Sequence, residues 1–347
     1  MATGLFDPVA PAGKLDDRFL LVAEEVGFGP ARRMMEAVFE RFSDPDGNFR
    51  EQFQTTAFDA RVFELYLFAC FEAAGLEIDR QHRAPDYLLA RGNERFAVEA
   101  TTANPSRGAP PRPAPREGAP LIRYIQEQLP IRLGSPLFSK LSKKYWEQPH
   151  VAGLPLVFAV ESFATEDSLY FSETSLAAYL FARRPVARRL PNDELLVTYD
   201  PILSHEDGSK QIPSGFFEQP EAENVSAVLF SNAGTVAKFG RMAHLSGLTG
   251  DVIGHVRAGW RLNPRPDADL PLWFVETVGE REESWTEELV LLHNPHARYP
   301  LPDEILRGAT HYRVLGDAIQ GEGPAWHVFA SRTVTLVPSS ERGERQS

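Results

Sequence analysis

A chain of 347 residues with 43% hydrophobic and 24% charged residues has the make-up of a globular protein, long enough for one large or two ordinary domains. The net charge of −12 argues against a surface that binds nucleic acid by non-specific attraction alone, and no apolar run reaches the roughly 18 residues of a membrane span. The single cysteine, Cys70, excludes an internal disulfide framework, and the first residues lack the basic start and apolar core of a signal peptide, so a cytoplasmic protein with no membrane partner is expected.

Residues 1–14 are rich in Pro, Gly and Ala and are expected to be mobile. A helix is predicted over 31–42, entered through Gly29-Pro30, with Pro30 suited to a first helical turn. The run Asp44-Pro45-Asp46-Gly47-Asn48 opens like a calcium loop, but Thr55 stands where that motif needs its bidentate glutamate, and a turn is the better reading. Residues 58–74 form a helix that is apolar on nearly every side, hence buried, and Gly75 ends it. Cys70 on that helix is a packing residue.

A strand over 76–82 leads into the stretch 85–101, Pro-Asp-Tyr-Leu-Leu-Ala-Arg-Gly-Asn-Glu-Arg-Phe-Ala-Val-Glu-Ala-Thr, which reads as a β-hairpin turning at Gly92-Asn93. Pairing Arg91 with Glu94 sets Leu89 opposite Phe96, Tyr87 opposite Val98, and Asp86 opposite Glu99. Directly opposed side chains lie about 4.5–5.5 Å apart at Cβ, so two like charges would share one face. Such a pair needs compensation, and a hard divalent cation supplies it.

The segment 104–120 is a Pro/Gly/Arg loop without periodicity. Helices are predicted over 121–129 and 136–148, a strand covered on both faces over 154–161, a helix over 175–182, a buried strand over 225–230, and a helix over 236–245. Beyond Gly250 the pattern turns to β, with strands over 251–256, 270–275, 288–293, 312–315 and 328–337, and a charged, polar tail follows. No internal repeat is present. The order helix, strand, hairpin, helix, strand implies a mixed α/β core. The expected organisation is an N-terminal tail and helical segment (1–50), a core (51–190), a C-terminal α/β extension (191–338) and a flexible tail (339–347).

Glu64 is a third acid of interest, because it lies on the apolar helix beside Ala60, Arg61, Leu67 and Phe68. A carboxylate there is costly unless paired, hydrogen-bonded or metal-bound. It either pairs with Arg61 at the core edge or leans towards the Asp86/Glu99 face. Arg107, Arg112, Arg116, Arg123, Arg132, Lys140, Lys143 and Lys144 gather positive charge after the hairpin, as a local basic groove or as a solvated loop and helix face.

Weaker signals point elsewhere. Ser231-Asn232-Ala233-Gly234-Thr235 joins a strand to a helix with Lys238 and Arg241 one turn in, either a capped turn or a phosphate site. His293 and His296 flank Pro295, which breaks any helix that would align both rings for zinc. Trp260, Trp273 and Trp326 are core residues by default and base-stacking residues by the sharper reading. No Gly-x-Ser-x-Gly elbow is present.

The acids and the order of elements resemble the restriction-endonuclease-like, or PD-(D/E)XK, nuclease superfamily. The matching residues are Glu64 in a helix, Pro85-Asp86 opening a strand, and Glu99-Ala100-Thr101 closing the next, with a helix and a buried strand after them. The resemblance covers about residues 58–165 and rests on short, degenerate motifs. It implies a mixed sheet flanked by helices and a Mg²⁺-dependent (or Mn²⁺-dependent) phosphodiesterase acting on DNA, or less readily RNA. Asp86, Glu99 and the backbone oxygen of Ala100 would bind metal, with Glu64 assisting through a ligated water. The chain departs from the family where lysine is usual two residues after the second acid, because Thr101 stands there. Threonine orders a water but carries no charge. Lys140 and Lys144, four apart on the predicted helix 136–148, are candidates for a relocated lysine, whereas Lys143 points away. The alternative is a catalytically degenerate member of the same fold acting as a binding or assembly module. A third reading is a nucleotide-binding protein using the Ser231–Thr235 turn.

Overall fold

The structure, a computed structural model, describes residues 4–105, 113–248, 254–265, 268 and 270–337. The chain opens with helices α1 (Asp17–Glu24), α2 (Gly29–Phe39), α3 (Phe49–Gln54) and α4 (Phe58–Ala73). Strands β1 (Glu77–Asp79), β2 (Tyr87–Arg91) and β3 (Glu94–Ala103) follow, then α5 (Gly118–Arg123), a π-helical turn (Tyr124–Gln128), α6 (Leu129–Leu141) and β4 (Leu156–Ser162). Next come α7 (Thr174–Phe181), β5 (Arg183–Arg189), β6 (Leu195–Pro201), β7 (Ser204–Asp207), β8 (Lys210–Pro213), β9 (Ala227–Phe230) and α8 (Val236–Leu245). The remainder is β10 (Gly254–Arg261), β11 (Leu272–Thr277), β12 (Val290–His293), β13 (Thr310–Leu315), β14 (Ala318–Glu322) and β15 (Val328–Leu336).

The mixed α/β expectation holds. An eight-stranded sheet runs β1-β2-β3-β4-β9-β12-β13-β14. Its centre, β3-β4-β9, is parallel, as is β12-β13, and the remaining neighbours are antiparallel. Helices cover both faces. Val98, Ala100, Val157, Ala159 and Leu229 pack with α2, α4 and α8, while Ala97, Leu156, Phe158, Val160 and Val228 pack with α6 and α7. Every residue of β4 and β9 is buried, which is why both read as unbroken apolar runs. The sheet crosses the boundary expected at residue 190, because β9, β12, β13 and β14 extend it. A second sheet, β11-β10-β15, and two hairpins, β5-β6 and β7-β8, complete the described structure. No helix among the described residues is long and apolar enough to cross a membrane.

Several expectations need correction. The chain start is not loose after residue 3. Leu5 is fully buried, and the buried Gln54 amide donates to the carbonyls of Leu5 (3.0 Å) and Asp7 (2.8 Å) while accepting from Val9 N–H (2.9 Å). The helices expected at 121–129 and 136–148 are one helical run broken only by the π turn, and it ends at Leu141 because Lys144 adopts left-handed backbone (φ 50°). The loop expected over 104–120 lies partly outside the described residues, with Arg107 and Arg112, and α5 already begins at Gly118. The tail beyond 337 also lies outside them. Strands β5 to β8 and β14 had no counterpart in the sequence reading.

A buried ionic network fixes the second sheet to α8. Lys238 Nζ donates to Glu283 and Glu288 (2.6 Å each), and Arg241 reaches Glu283 (2.9 Å) and Glu288 (3.3 Å). Arg257, fully buried on β10, contacts Glu288 and lies 3.3 Å from Glu287, which also accepts from Arg281 (2.6 Å). Burial alone would raise the Glu288 carboxyl, but the charges of Arg257, Lys238 and Arg241 overcome it and hold the group below the usual carboxylate range. A depressed acid contributes stability above its unfolded-state value and loses it in acid. Removing one partner strands buried cations, so Glu288→Gln is expected to cost about 3–5 kcal/mol in chemical denaturation at neutral pH. A loss below about 1 kcal/mol would show that the cations find other partners.

Candidate active site

The hairpin adopts the register read from its turn. Arg91 pairs with Glu94, Leu89 with Phe96 and Tyr87 with Val98. Gly92 occupies the left-handed conformation (φ 59°) that such a two-residue turn requires. Asp86, the residue before β2, is clasped to β3 at Glu99 and Ala100. Its backbone N–H donates to Glu99 Oε2 (3.2 Å), and its own Oδ2 accepts from Ala100 N–H (2.7 Å).

Strand geometry explains that clasp. Ala97 N–H and Ala103 C=O bond towards the β4 side, so the odd residues of β3 direct their backbone groups there. The even residues direct theirs towards β2. β2 begins at Tyr87, so at Ala100 the β2 side is taken by the Asp86 carboxylate, and the Ala100 carbonyl faces that same opening.

Side-chain alternation divides the acids. Glu99 faces α6, where Lys140 Nζ donates to its Oε1, as does the Tyr145 hydroxyl at 2.7 Å. Glu64 comes from α4 on the other face. It therefore does not lean onto the Glu99 face, and Asp86 stands at the strand end between the two. Arg61 grips both oxygens of Glu64 (2.5 and 2.6 Å), and Arg80 lies 3.8 Å from Oε2. The Arg61–Glu64 pair of the plain reading is therefore present, and both residues also line a cavity of about 300 Å³ with Asp86, Ala100, Thr101 and Lys140.

Burial pushes the Glu64 carboxyl up to about 7, the nearby Asp86 charge adding to it and Arg61 and Arg80 opposing it. Glu99 is raised for the same first reason, with Asp86 adding and Lys140 opposing. Asp86 thus burdens acids on both sides.

Of the two relocated-lysine candidates, Lys140 joins the acids and Lys144 does not. The left-handed turn at Lys144 sends its ammonium to Glu221 (2.7 Å) and brings Tyr145 round to Glu99. Lys143 is exposed, as expected. Tyr145 and Arg80 were missed as site residues. Tyr145 was hidden by the assumption of a continuous helix. Arg80, stacked on Phe42 (3.7 Å) and Tyr87 (4.7 Å), lies in a loop with no motif. At the other turn the capped-turn reading holds, with the Thr235 side chain accepting from Lys238 N–H, and Lys238 and Arg241 are buried in the ionic network.

The donor set fits a hard cation in one limited sense. Among the described residues no three His, Cys, Asp or Glu side chains converge on one point. Asp86, Glu99 and the Ala100 carbonyl nevertheless offer oxygen alone, and Mg²⁺ is commonly held by one or two carboxylates, with water and substrate phosphate filling the other positions. Comparison with protein-family models, with curated proteins and with solved structures finds no match to this chain, so the functional reading rests on the geometry of these residues.

Proposed function

We propose that the protein is a metal-dependent phosphodiesterase of the PD-(D/E)XK type that hydrolyses nucleic acid, DNA in preference to RNA. The observation that carries this reading is Lys140 reaching Glu99 beside Asp86, which supplies from α6 the cation that Thr101 cannot supply from β3. Mg²⁺ or Mn²⁺ would be held by Asp86, Glu99 and the Ala100 carbonyl, with Glu64 assisting through water. When bound, such an ion polarises the phosphate and lowers the pKa of its water.

The chain's own residues have separate tasks. Lys140 stabilises charge developing on the phosphoryl oxygens, a role that depends on its leaving Glu99 as metal and substrate arrive. Tyr145 stays on Glu99 and orients it. Thr101 lines the cavity with a hydroxyl able to order the attacking water. Arg61, a fifth exposed and in the same cavity, is a second cation within reach of a phosphate.

One observation favours the non-catalytic alternative. Arg61, Arg80 and Lys140 already match Glu64, Asp86 and Glu99 charge for charge, so the cluster is neutral without metal. Cleavage separates the two readings. Wild type is expected to cut DNA only with Mg²⁺ or Mn²⁺, and Asp86→Ala, Glu99→Ala and Lys140→Ala are each expected to lower the rate by about 10²- to 10³-fold. Mg²⁺ binding in calorimetry should vanish in the two acid variants and survive in Lys140→Ala. Wild type that binds neither metal nor DNA would leave the neutral cluster as structure.

The raised Glu64 group gives a pH signature. An acid raised in the folded state contributes stability below its unfolded value near 4.5, and that contribution is lost as pH rises through about 7. A bound cation relieves this loss. Thermal stabilisation by millimolar Mg²⁺ is therefore expected to be larger at about pH 8 than at about pH 6, and absent in Asp86→Ala. Equal stabilisation at both pH values would mean that metal does not sense these acids.

A further inference from the structure

Two adjoining cavities away from the acid cluster share the side chain of Tyr170. The larger, about 620 Å³, is walled by Tyr170, Phe171, Trp260, Leu270, Pro271 and Phe329, with Ser172 and Thr174 at its edge. The smaller, about 200 Å³, is polar and lined by Asn232, Thr235, Arg241, Ser331, Arg332 and Thr333. Asn232 ties them together, because its amide donates to the carbonyls of Phe329 (2.7 Å) and Phe171 (3.2 Å).

The aromatic wall is open to solvent. Trp260 is 46% exposed and braced edge-on by Trp273 across β10-β11, with centroids 5.0 Å apart. An exposed tryptophan held in place by another is an unusual use of apolar surface in the absence of a ligand. Arg332 stands over the Tyr170 ring at 4.8 Å, where the two cavities meet. Its guanidinium donates to the Tyr170 hydroxyl and has no carboxylate partner among the described residues. Two acids, Glu166 and Glu288, also border the polar cavity. Glu288 is matched by Lys238 and Arg257, whereas Glu166 is exposed and opposes an anion.

We propose that the paired cavities hold one nucleotide unit of a single-stranded nucleic acid, its base against Trp260 and its phosphate at Arg332. Every base has a π-face, so an aromatic wall takes bases without regard to sequence, and an adjacent arginine takes the backbone charge. A duplex keeps its bases stacked on one another and cannot fill the aromatic cavity. This deepens the nuclease reading by naming a strand-holding subsite made of residues outside the acid cluster, and the binding itself needs no metal.

The test is fluorescence anisotropy of a short labelled oligothymidylate with the full chain in the presence of EDTA, followed in parallel by quenching of tryptophan emission. Wild type is expected to bind saturably. Trp260→Ala and Arg332→Ala should each weaken binding about tenfold or more, Trp260→Phe should keep it within a few-fold, and Glu166→Gln should tighten it. Near-UV circular dichroism checks that each variant is folded, and Arg332→Ala carries the test if Trp260→Ala is not. The proposal is overturned by absence of saturable binding, by wild-type affinity in both Arg332→Ala and Trp260→Ala, or by equal affinity for a duplex or for thymidine monophosphate alone. Binding without cleavage by wild type in Mg²⁺ would count against the nuclease reading and leave the subsite standing.

Discussion

The register of the β2-β3 hairpin is the constraint on which the candidate site depends. Gly92 and Asn93 leave no freedom in how Arg91 meets Glu94, and the pairing then runs outward to Tyr87 and Val98. A slip of one residue would turn Glu99 towards α4 and drive Val98 against α6, exchanging a buried charge with a buried methyl pair. The core therefore enforces the placement of the acids. Phe96, Val98 and Ala100 must face α4, so Glu99 must face Lys140 and Tyr145. Asp86 gains its position where the ladder stops, by taking the Ala100 N–H that a longer β2 would have used.

The chain concentrates charge in two places and treats them differently. Around Glu288 the side chains of Lys238, Arg241 and Arg257 are buried, each with more than one acid partner, and Glu283 and Glu288 are both held below their ordinary values, while burial raises Glu287 beside Arg281. Around Asp86 the acids Glu64 and Glu99 are raised in spite of Arg61 and Lys140, and a cavity opens beside them. Two acids on opposite sides of the one Asp86 carboxylate are thus both raised, and perturbed acids beside a cavity mark a candidate ligand site.

Much of this was legible in the chain because the signals were local or strongly periodic. The apolar helix at Phe58, the turn at Gly92-Asn93, the buried runs of β4 and β9 and the helix at Val236–Leu245 each carried their own evidence, and Asp86 meets Glu99 as the turn register suggested, with Lys140, one of two lysines the resemblance offered, beside them. What escaped depended on tertiary context. β5 is Arg-Arg-Pro-Val-Ala-Arg-Arg, an exposed ribbon without apolar alternation, and it pairs only because β6 lies beside it. Lys144 was misplaced because a left-handed residue reverses the chain without a glycine to announce it. The first residues look disordered by composition, and they are held by the buried Gln54 amide and the Glu36 carboxylate, which no periodicity singles out.

The parallel order β3-β4-β9 supplies the last step. Parallel neighbours end on the same edge of a sheet, and the crevice beyond their carboxyl ends is where open α/β sheets place ligands. The cavity beside Asp86 reaches Thr101 and Thr102 near the carboxyl end of β3, and Asn232 and Thr235 follow the end of β9. Between them Glu161, on β4, is wholly buried, with one oxygen on Gly234 N–H (2.9 Å) and the other close enough to exclude any side chain at that glycine. Burial raises this carboxyl well above its ordinary value, the Gly234 N–H opposing it. It joins the end of β4 to the turn that carries Asn232, so one buried contact lies between the strand ends that bear the two sites. If both proposals hold, a nucleic-acid strand would run along this edge between the acid cluster and the aromatic cavity.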